Sequence, residues 1–258
     1  MKKLFFTIVC IISLHAVKSQ TTATVPSADT TVATVPQIPK KTTRTKIDLS
    51  NRSNDHVMLQ FGLDGWSGVI PDSVKPSGFS RHFNAYIMLD KPFKTNPRFS
   101  VGLGVGIGSS NIFFERKLID IKSQATRLPF TNLDSANHFK KYKLTTVYAE
   151  APVELRYTSH PENSNSSFKF ALGAKVGQLI NAHTKGKTLQ SKSGTTVNSY
   201  IVKENSKKFF NATRLAVTGR IGYGVLSLYG AYQITTFLKD ATGAEIRPYS
   251  LGICISGL

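Results

Sequence analysis

The stretch FSVGLGVGIGSS at residues 99–110 indicates how this chain folds. Large apolar residues alternate in it with serine and glycine, at Phe99, Val101, Leu103, Val105 and Ile107. Successive side chains of a β-strand point to opposite faces, so this period of two predicts a strand with one apolar face and one face of small residues. The evenly spaced glycines are packing residues on this interpretation. A dinucleotide-binding fingerprint would need unequal spacing and a strand-to-helix turn.

The same alternation recurs in seven other segments of the chain. Apolar and polar residues take turns over 57–64, 79–89, 147–157, 168–177, 214–221, 226–234 and 249–255. No segment between them has the three-to-four-residue spacing of an amphipathic helix. Together with 99–108, these segments predict an all-β fold of eight strands.

The polar faces of these strands decide between two architectures. A soluble barrel or sandwich keeps its apolar face inside, whereas a membrane barrel turns that face outward to lipid. Here the polar faces are rich in Gly, Ser and Thr, which suit the crowded interior of an eight-stranded barrel. Charged residues stand singly in mid-strand, where we expect them to pair across the lumen as a salt-bridge network of Glu150, Glu154, Arg156, Lys175, Arg214 and Arg220.

The connections alternate in length. Short ones, at 91–97, 158–166 and 223–225, take turns with longer ones at 65–78, 111–143 and 182–208. This pattern predicts an eight-stranded antiparallel up-and-down transmembrane β-barrel with short periplasmic turns and longer outer loops. Next to the short turns, the outward positions predict an interfacial aromatic girdle of Phe99, Tyr157, Phe168 and Tyr223. On the loop side, the same role is predicted for Phe79, Phe209 and Tyr249.

The N-terminal residues before the first strand have a different composition. Lys2 and Lys3 precede an apolar run and a Val17-Lys18-Ser19 cleavage pattern, so residues 1–19 are predicted to be a secretory signal peptide. Residues 20–55 are rich in Thr and Pro and then basic, which is typical of a flexible tether. The barrel is predicted to span 56–258. After cleavage Cys254 would be the only cysteine, so no disulfide within the chain is expected.

Three segments resemble the PorT-like outer-membrane β-barrel domain of Bacteroidetes. They are YAEAPVELRY at 148–157, FKFALGAKVGQLI at 168–180, and the end of the chain, GRIGYGVLSLYGAYQITTFL at 219–238 with RPYSLGICI at 247–255. The resemblance implies an outer-membrane barrel in a Gram-negative bacterium, and some members of the family take part in secretion machinery. Pro152, which lacks a backbone donor, is expected to sit at a β-bulge in an interior strand.

The chain carries a net charge of +18, which calls for an anionic partner. Losing Lys2, Lys3 and Lys18 with the signal peptide would lower it to +15. The outer-loop segments 111–142 and 182–208 contain twelve Lys or Arg against four acids. Export argues against a nucleic-acid partner, and we expect these loops to contact lipopolysaccharide phosphates through Lys185, Lys187, Lys192, Lys207 and Lys208.

No motif in the sequence indicates catalysis, a metal or a cofactor. HExxH, CxxC, GxSxG and P-loop patterns are absent from it. A barrel hydrolase would draw on His82, His138 or His183, but such histidines are also common in polar loops. The sequence therefore predicts a non-enzymatic outer-membrane barrel with a structural or interaction role, in which surface loops bind lipopolysaccharide, a partner protein or a secretion complex. A narrow pore and a soluble, lipocalin-like periplasmic carrier are the alternatives.

Overall fold

A computed structural model describes residues 56–68, 75–76, 79–240 and 244–257. The predicted signal peptide and tether lie outside these residues. Eleven strands are present in the described part: β1 Val57–Gly68, β2 Arg81–Pro92, β3 Phe99–Phe114, β4 Lys117–Ile119, β5 Phe130–Asn132, β6 His138–Thr158, β7 Phe168–Gln190, β8 Thr196–Asn205, β9 Thr213–Tyr223, β10 Leu226–Gln233 and β11 Ile246–Ser256. Within the described ranges, no helix is long and apolar enough to cross a membrane.

Eight of these strands close into a barrel. Each pairs antiparallel with its neighbours in the order β1-β2-β3-β6-β7-β9-β10-β11, and β11 returns to β1 from Met58↔Ser256 to Gly68↔Ile246. Every predicted strand is found, and the up-and-down antiparallel barrel is confirmed. Short connections join β2 to β3, β6 to β7 and β9 to β10 at one end, which we call the short-turn end. The opposite end is the long-loop end.

The apolar face of each barrel strand points outward. Ile87, Val105 and Leu228, for example, expose about two thirds of their surface although they are large hydrophobic residues. The opposite face of the same strands buries polar residues such as Gln60, Asn84 and Glu154. This arrangement is inverted relative to a soluble barrel, so the lipocalin-like alternative is wrong.

The long-loop end holds more β-structure than the sequence pattern predicted. Residues 111–143 and 182–208 were expected to be loops, but β3 continues to Phe114, β6 begins at His138 and β7 continues to Gln190. β8 adds to the edge of β7, and β4 pairs with β5 as a separate hairpin. The extended parts of β6, β7 and β8 form a three-stranded sheet beyond the barrel, which we call the extension. Its outward residues are charged instead of apolar, so these segments lack the alternation that indicates a lipid-facing strand.

A hydrophobic core closes the long-loop end. Sixteen buried residues from the strand ends and connections pack together there: Trp66, Ile112, Phe114, Ile119, Ile121, Leu128, Tyr142, Leu144, Tyr148, Leu179, Ala182, Phe209, Phe210, Phe237, Leu238 and Ile246. Trp66 lies between Phe114 and Phe237, with ring centroids 5.6 and 5.5 Å away. We call this cluster the cap. It places a packed apolar layer across the barrel mouth.

The β-bulge lies away from Pro152. Pro152 pairs in regular register with Lys175, so the bulge expected at this proline is not there. The register instead shifts between Val147 and Tyr148, which pair with Asn181 and Leu179 and leave Ile180 as the extra residue. One extra residue exchanges the two faces of a strand. Beyond it the odd-numbered residues of β7 point outward, which sets the faces of the extension. The β6–β7 turn also contains a short 3-10 helix, Pro161–Ser166, where no helix was expected.

Candidate functional sites in the lumen and on the extension

The first lumen cluster is built around Glu150 of β6. Its Oε2 accepts hydrogen bonds from Tyr86 Oη at 2.5 Å and from Lys175 Nζ at 3.2 Å. Its Oε1 contacts the Arg214 guanidinium, which lies 4.3 Å from the ring centroid of Tyr148. Glu150 is 3% exposed and Lys175 is 5% exposed. Buried charges are tolerated when they are paired and hydrogen-bonded, as these are.

A second lumen cluster surrounds Glu154, nearer the short-turn end. Its Oε2 accepts from Arg156 Nε and from Arg220 Nη2, both at 2.9 Å. Arg220 also donates to Ser256 Oγ at 2.9 Å. Arg156 lies 3.5 Å from Asp90, a partner that the sequence analysis did not include. The structure therefore brings the six predicted lumen residues together in two clusters, each centred on one glutamate.

The glycines of β3 make room for these clusters. A Cβ added to Gly102 would lie 2.6 Å from Arg156 Nε, and one added to Gly108 would lie 2.7 Å from Glu150 Oε2. Both distances are shorter than a carbon contact allows, so a larger residue would displace the charged groups. The glycine face that indicated a strand is thus the wall against which the lumen charges pack.

A third polar cluster lies near the long-loop end of the lumen. Asp64 Oδ1 is 2.9 Å from His82 Nδ1 and accepts from Ser250 Oγ at 2.6 Å, while Oδ2 accepts from Ser110 Oγ. Among the described residues, His82 Nε2 is buried without a hydrogen-bond partner. Both serines bond to the carboxylate instead of to the imidazole. The cluster orients His82 and lacks the order of a hydrolytic triad.

The charges within the three lumen clusters balance. Four carboxylates (Asp64, Asp90, Glu150, Glu154) face four cations (Arg156, Lys175, Arg214, Arg220) in these clusters. The cavities that remain beside them have volumes of about 30 and 10 Å³. A water molecule needs roughly 10–15 Å³ by this measure, so these spaces hold one or two waters. These three clusters therefore add nothing to the positive excess of the protein.

Much of that excess lies on one face of the extension. Lys143, Lys185 and Lys203 are direct cross-strand neighbours on β6, β7 and β8, and Lys141 pairs with Lys187 one step further out. Arg81 of β2 stands beside them over the ring of Phe113, which Lys143 also approaches. We call the outward set Arg81, Lys141, Lys143, His183, Lys185, Lys187 and Lys203 the basic face.

The residues of the basic face are close enough to shift one another's pKa. Partial burial and then the charges of Lys185 and Arg81 lower the pKa of Lys143. Partial burial and then Lys203, Lys143 and Lys185 lower the pKa of His183. Each shift disfavours a further positive charge, which shows that the positive potential is concentrated at this place.

The predicted surface lysines fall into two groups. Lys185 and Lys187 belong to the basic face. Lys192 lies in the exposed turn between β7 and β8, and Lys207 is exposed after β8. Lys208 Nζ donates to the carbonyl of Ser123 at 2.9 Å, which ties the segment after β8 to the loop before β5. The sequence analysis missed Arg81, Lys141, Lys143 and Lys203. Their signal was the alternation of KKYKL at 140–144 and IVKEN at 201–205, which continues a strand with charged instead of apolar residues.

The aromatic residues at the short-turn end form two contacting pairs. Phe99 and Tyr157 have ring centroids 5.2 Å apart, and so do Phe168 and Tyr223. At the other end Phe79 and Tyr249 are exposed, but Phe209 is fully buried in the cap. The prediction that Phe209 belongs to a loop-side girdle is therefore wrong. Its backbone carbonyl accepts from Lys239 N at 3.0 Å, next to the cap residue Leu238.

The remaining candidate residues are dispersed. His138 lies 3.3 Å from the Ala136 carbonyl, and His183 lies 3.1 Å from Asn181 Oδ1, each in a different environment from His82. Cys254 is fully buried in the lumen beside Arg220, at 3.8 Å. In the part of the chain that the structure describes, no group of three or more His, Cys, Asp or Glu residues is arranged to hold a metal ion.

Outward apolar strands around a filled, charge-paired lumen define a membrane-spanning β-barrel. The family described as outer membrane protein beta-barrel domain matches residues 50–235, and the chain belongs to that family. No curated protein matches the chain. Among solved structures, the crystal structure of Ail, the attachment invasion locus protein of Yersinia pestis, is 13% identical and covers 78% of this chain and 95% of its own, with a TM-score of 0.28.

Proposed function

We propose that this protein is a sealed, non-enzymatic outer-membrane barrel that binds lipopolysaccharide through its basic face. The observation that carries the proposal is the register of the extension, which stacks Lys143, Lys185 and Lys203 directly across three strands. Like charges directly opposite one another destabilise a sheet. An acidic residue at one of these facing positions on β6, β7 or β8 would relieve the repulsion, but all three positions are lysines. An external anion would relieve it instead.

The position of the basic face suits phosphate groups at a membrane surface. On β2 the exposed Phe83 is followed two residues further out by Arg81, and on β7 the exposed Ile180 is followed by His183 and Lys185. Basic residues thus begin where the lipid-facing residues end. Lipopolysaccharide carries its phosphates at this level, and charged hydrogen bonds from Lys and Arg to phosphate oxygens are strong. The long-loop end would then face the exterior of a Gram-negative bacterium, and the predicted signal peptide would direct export of the chain.

Two narrower proposals, a place in the PorT-like branch of the family and a role in secretion, rest on the sequence. The three PorT-like segments support a place in that branch of the family, and with it a role as an accessory of a secretion complex. Lys192, in the β7–β8 turn beyond the basic face, and Lys207 and Lys208, at its inner end, would add weaker contacts to sugars and phosphates. The lumen clusters and the cap support a plugged barrel over the narrow pore.

The lipopolysaccharide proposal predicts the effect of a triple substitution. Each basic residue near an anionic surface contributes about 1 kcal/mol, so Lys143→Gln, Lys185→Gln and Lys203→Gln together should weaken binding roughly 100-fold. Binding of the purified protein in an uncharged detergent to lipopolysaccharide, measured by thermophoresis, gives the change. Lipid A without its phosphates should bind as weakly to the parent protein.

A matched control removes the same charge from the other end of the barrel. Lys91, Lys94 and Arg98 lie at the β2–β3 turn, at the short-turn end. Their replacement by Gln should leave the affinity within about threefold of the parent value, because these residues lie away from the basic face. Equal losses in the two triple variants would show nonspecific attraction and overturn the proposal. Unchanged binding in both would do the same.

A further inference from the structure

The face of the extension opposite the lysines contains a pocket of a different character. Thr184 and Gly186 alternate with the lysines of β7, and Val202 and Glu204 flank Lys203 on β8, so these four residues point away from the basic face. With the β4 hairpin they enclose a cavity of about 250 Å³. Its remaining lining residues are Leu118, Ile119, Asp120, Phe139 and Tyr142. This volume exceeds that of the lumen cavities several-fold.

One side of this pocket is a fixed aromatic wall. Phe139 and Tyr142 have ring centroids 6.1 Å apart and planes inclined by 14°, and Tyr200 packs edge-on against Phe139. The Tyr142 hydroxyl donates to the Ile119 carbonyl at 2.8 Å and accepts from the Ile119 amide at 3.1 Å, which fixes its ring. A Cβ at Gly186 would lie 2.7 Å from the Phe139 ring. Glycine at this position therefore lets the aromatic ring lie against the sheet.

Two carboxylates stand at the rim of the same pocket. The Glu204 carboxylate makes no ion pair or hydrogen bond with the described residues, and among them the Asp120 carboxylate accepts only from the Lys122 amide, at 3.0 Å. Burial raises the pKa of the Tyr142 hydroxyl, and the negative charges of Glu204 and Asp120 raise it further. In a chain with 33 Lys and Arg against 15 acids, an unpaired carboxylate beside aromatic rings is unexpected on composition alone.

We propose that this pocket binds an alkylammonium group, as carried by a lysine side chain of a partner protein or by a free diamine. Aromatic faces attract cations, and the attraction increases when the cation is removed from water. The apolar walls suit the methylene stem of such a group, and the rim carboxylates suit its charged end. An anion would be repelled by the two carboxylates. The proposal does not depend on lipopolysaccharide binding, which uses the opposite face of the sheet.

The test compares ligands that differ only in charge. The full barrel is titrated by calorimetry with Nα-acetyl-lysine amide and with its Nε-acetylated, neutral counterpart, and separately with 1,5-diaminopentane. A maltoside detergent is required, because phosphocholine headgroups carry a competing ammonium. We expect the charged lysine derivative to bind at least tenfold more tightly than the neutral one. If only the diamine binds, the ligand of the pocket is a free amine. If the lysine derivative binds more tightly than the diamine, the ligand is a lysine side chain of a partner protein.

Substitutions then locate the site. Glu204→Gln should weaken binding of the charged ligand at least tenfold, and Phe139→Leu should weaken it while retaining the volume of an apolar wall. Glu162→Gln, in the exposed turn at the other end of the barrel, makes the same chemical change and should have no effect. Heat-modifiable migration on gels verifies that each variant is folded. The proposal would be overturned if neither the diamine nor the charged lysine derivative bound more tightly than the neutral derivative, or if Glu204→Gln left the binding undiminished.

Discussion

Replacing Glu150 by glutamine should lower the free energy of unfolding by about 3–5 kcal/mol. The substitution removes the carboxylate that, among the described residues, pairs with both Lys175 and Arg214 in the lumen. Both cations would remain buried without a countercharge, and removing one partner of a buried ion pair costs far more than the pair contributes. Urea unfolding of the barrel in detergent micelles, followed by circular dichroism, measures the change.

Two further variants show whether charge causes this loss. Glu162→Gln makes the same substitution at an exposed site and should change the free energy of unfolding by less than about 0.5 kcal/mol. Adding Lys175→Met to Glu150→Gln removes one of the two uncompensated cations and should recover part of the stability. If Glu150→Gln unfolds at the same urea concentration as the parent, the lumen ion pairs do not have the role described here.

Replacing Phe237 by alanine should destabilise the cap by about 3–5 kcal/mol. Phe237 is 4% exposed, and its ring lies 5.5 Å from Trp66 and 5.3 Å from Phe210. Truncation would remove both contacts and leave a cavity, because the strand ends around it are held by backbone hydrogen bonds. Trp66 is the only tryptophan of the chain, so its emission reports on the cap directly. We expect a red shift and greater quenching by acrylamide.

The comparison for the cap is an aromatic residue of the same type outside it. Phe79 is 75% exposed, and Phe79→Ala should leave the Trp66 emission unchanged. The cap variant should also lose its tryptophan signal at a lower urea concentration than its β-sheet signal, since the barrel strands keep their own pairing. Simultaneous loss of the two signals in Phe237→Ala, at the parent's midpoint, would contradict the cap as a separately packed layer.

The barrel strands were predictable because one physical requirement fixes both faces. A lipid-facing position must be apolar and a lumen position must be small or paired, so Phe99 to Ile107 alternates without exception. The extension obeys no such requirement. In the extension, Lys141 and Lys143 alternate with Tyr142 and Leu144. The apolar face packs in the cap, and the lysine face contacts water instead of lipid.

The lumen was predictable by residue type but not by pairing. The alternation placed Glu150 and Glu154 on the same face of one strand, and basic residues on β7 and β9. Which carboxylate meets which cation depends on register, and the bulge at Ile180 changes the faces of β7 beyond it. Tyr86 and Asp90, which contact Glu150 and Arg156, lie on β2. β2 does not pair with β6, so nothing in the sequence indicated that these side chains meet in the lumen.

The pocket and the basic face were missed for a related reason. Glu204 was counted with the outer-loop charges, yet it lies one residue from Lys203 in a strand and therefore on the opposite face. The net charge of a whole segment does not distinguish the two faces of a strand, so it hides the separation of Glu204 from Lys203. Only the assignment of 196–205 as a strand separates the carboxylate from the lysines, and a polar strand with one exposed edge has a weak sequence signal.

Single-channel recording of the parent protein in planar bilayers tests the central claim, that this outer-membrane barrel is sealed. Paired lumen charges, cavities of about 30 and 10 Å³ and a packed cap occupy the lumen along the residues that the structure describes. We therefore expect no steady conductance steps after insertion, with heat-modifiable migration proving that folded barrel is present. Regular, long-lived open steps from the folded protein would contradict the sealed barrel and support the narrow pore.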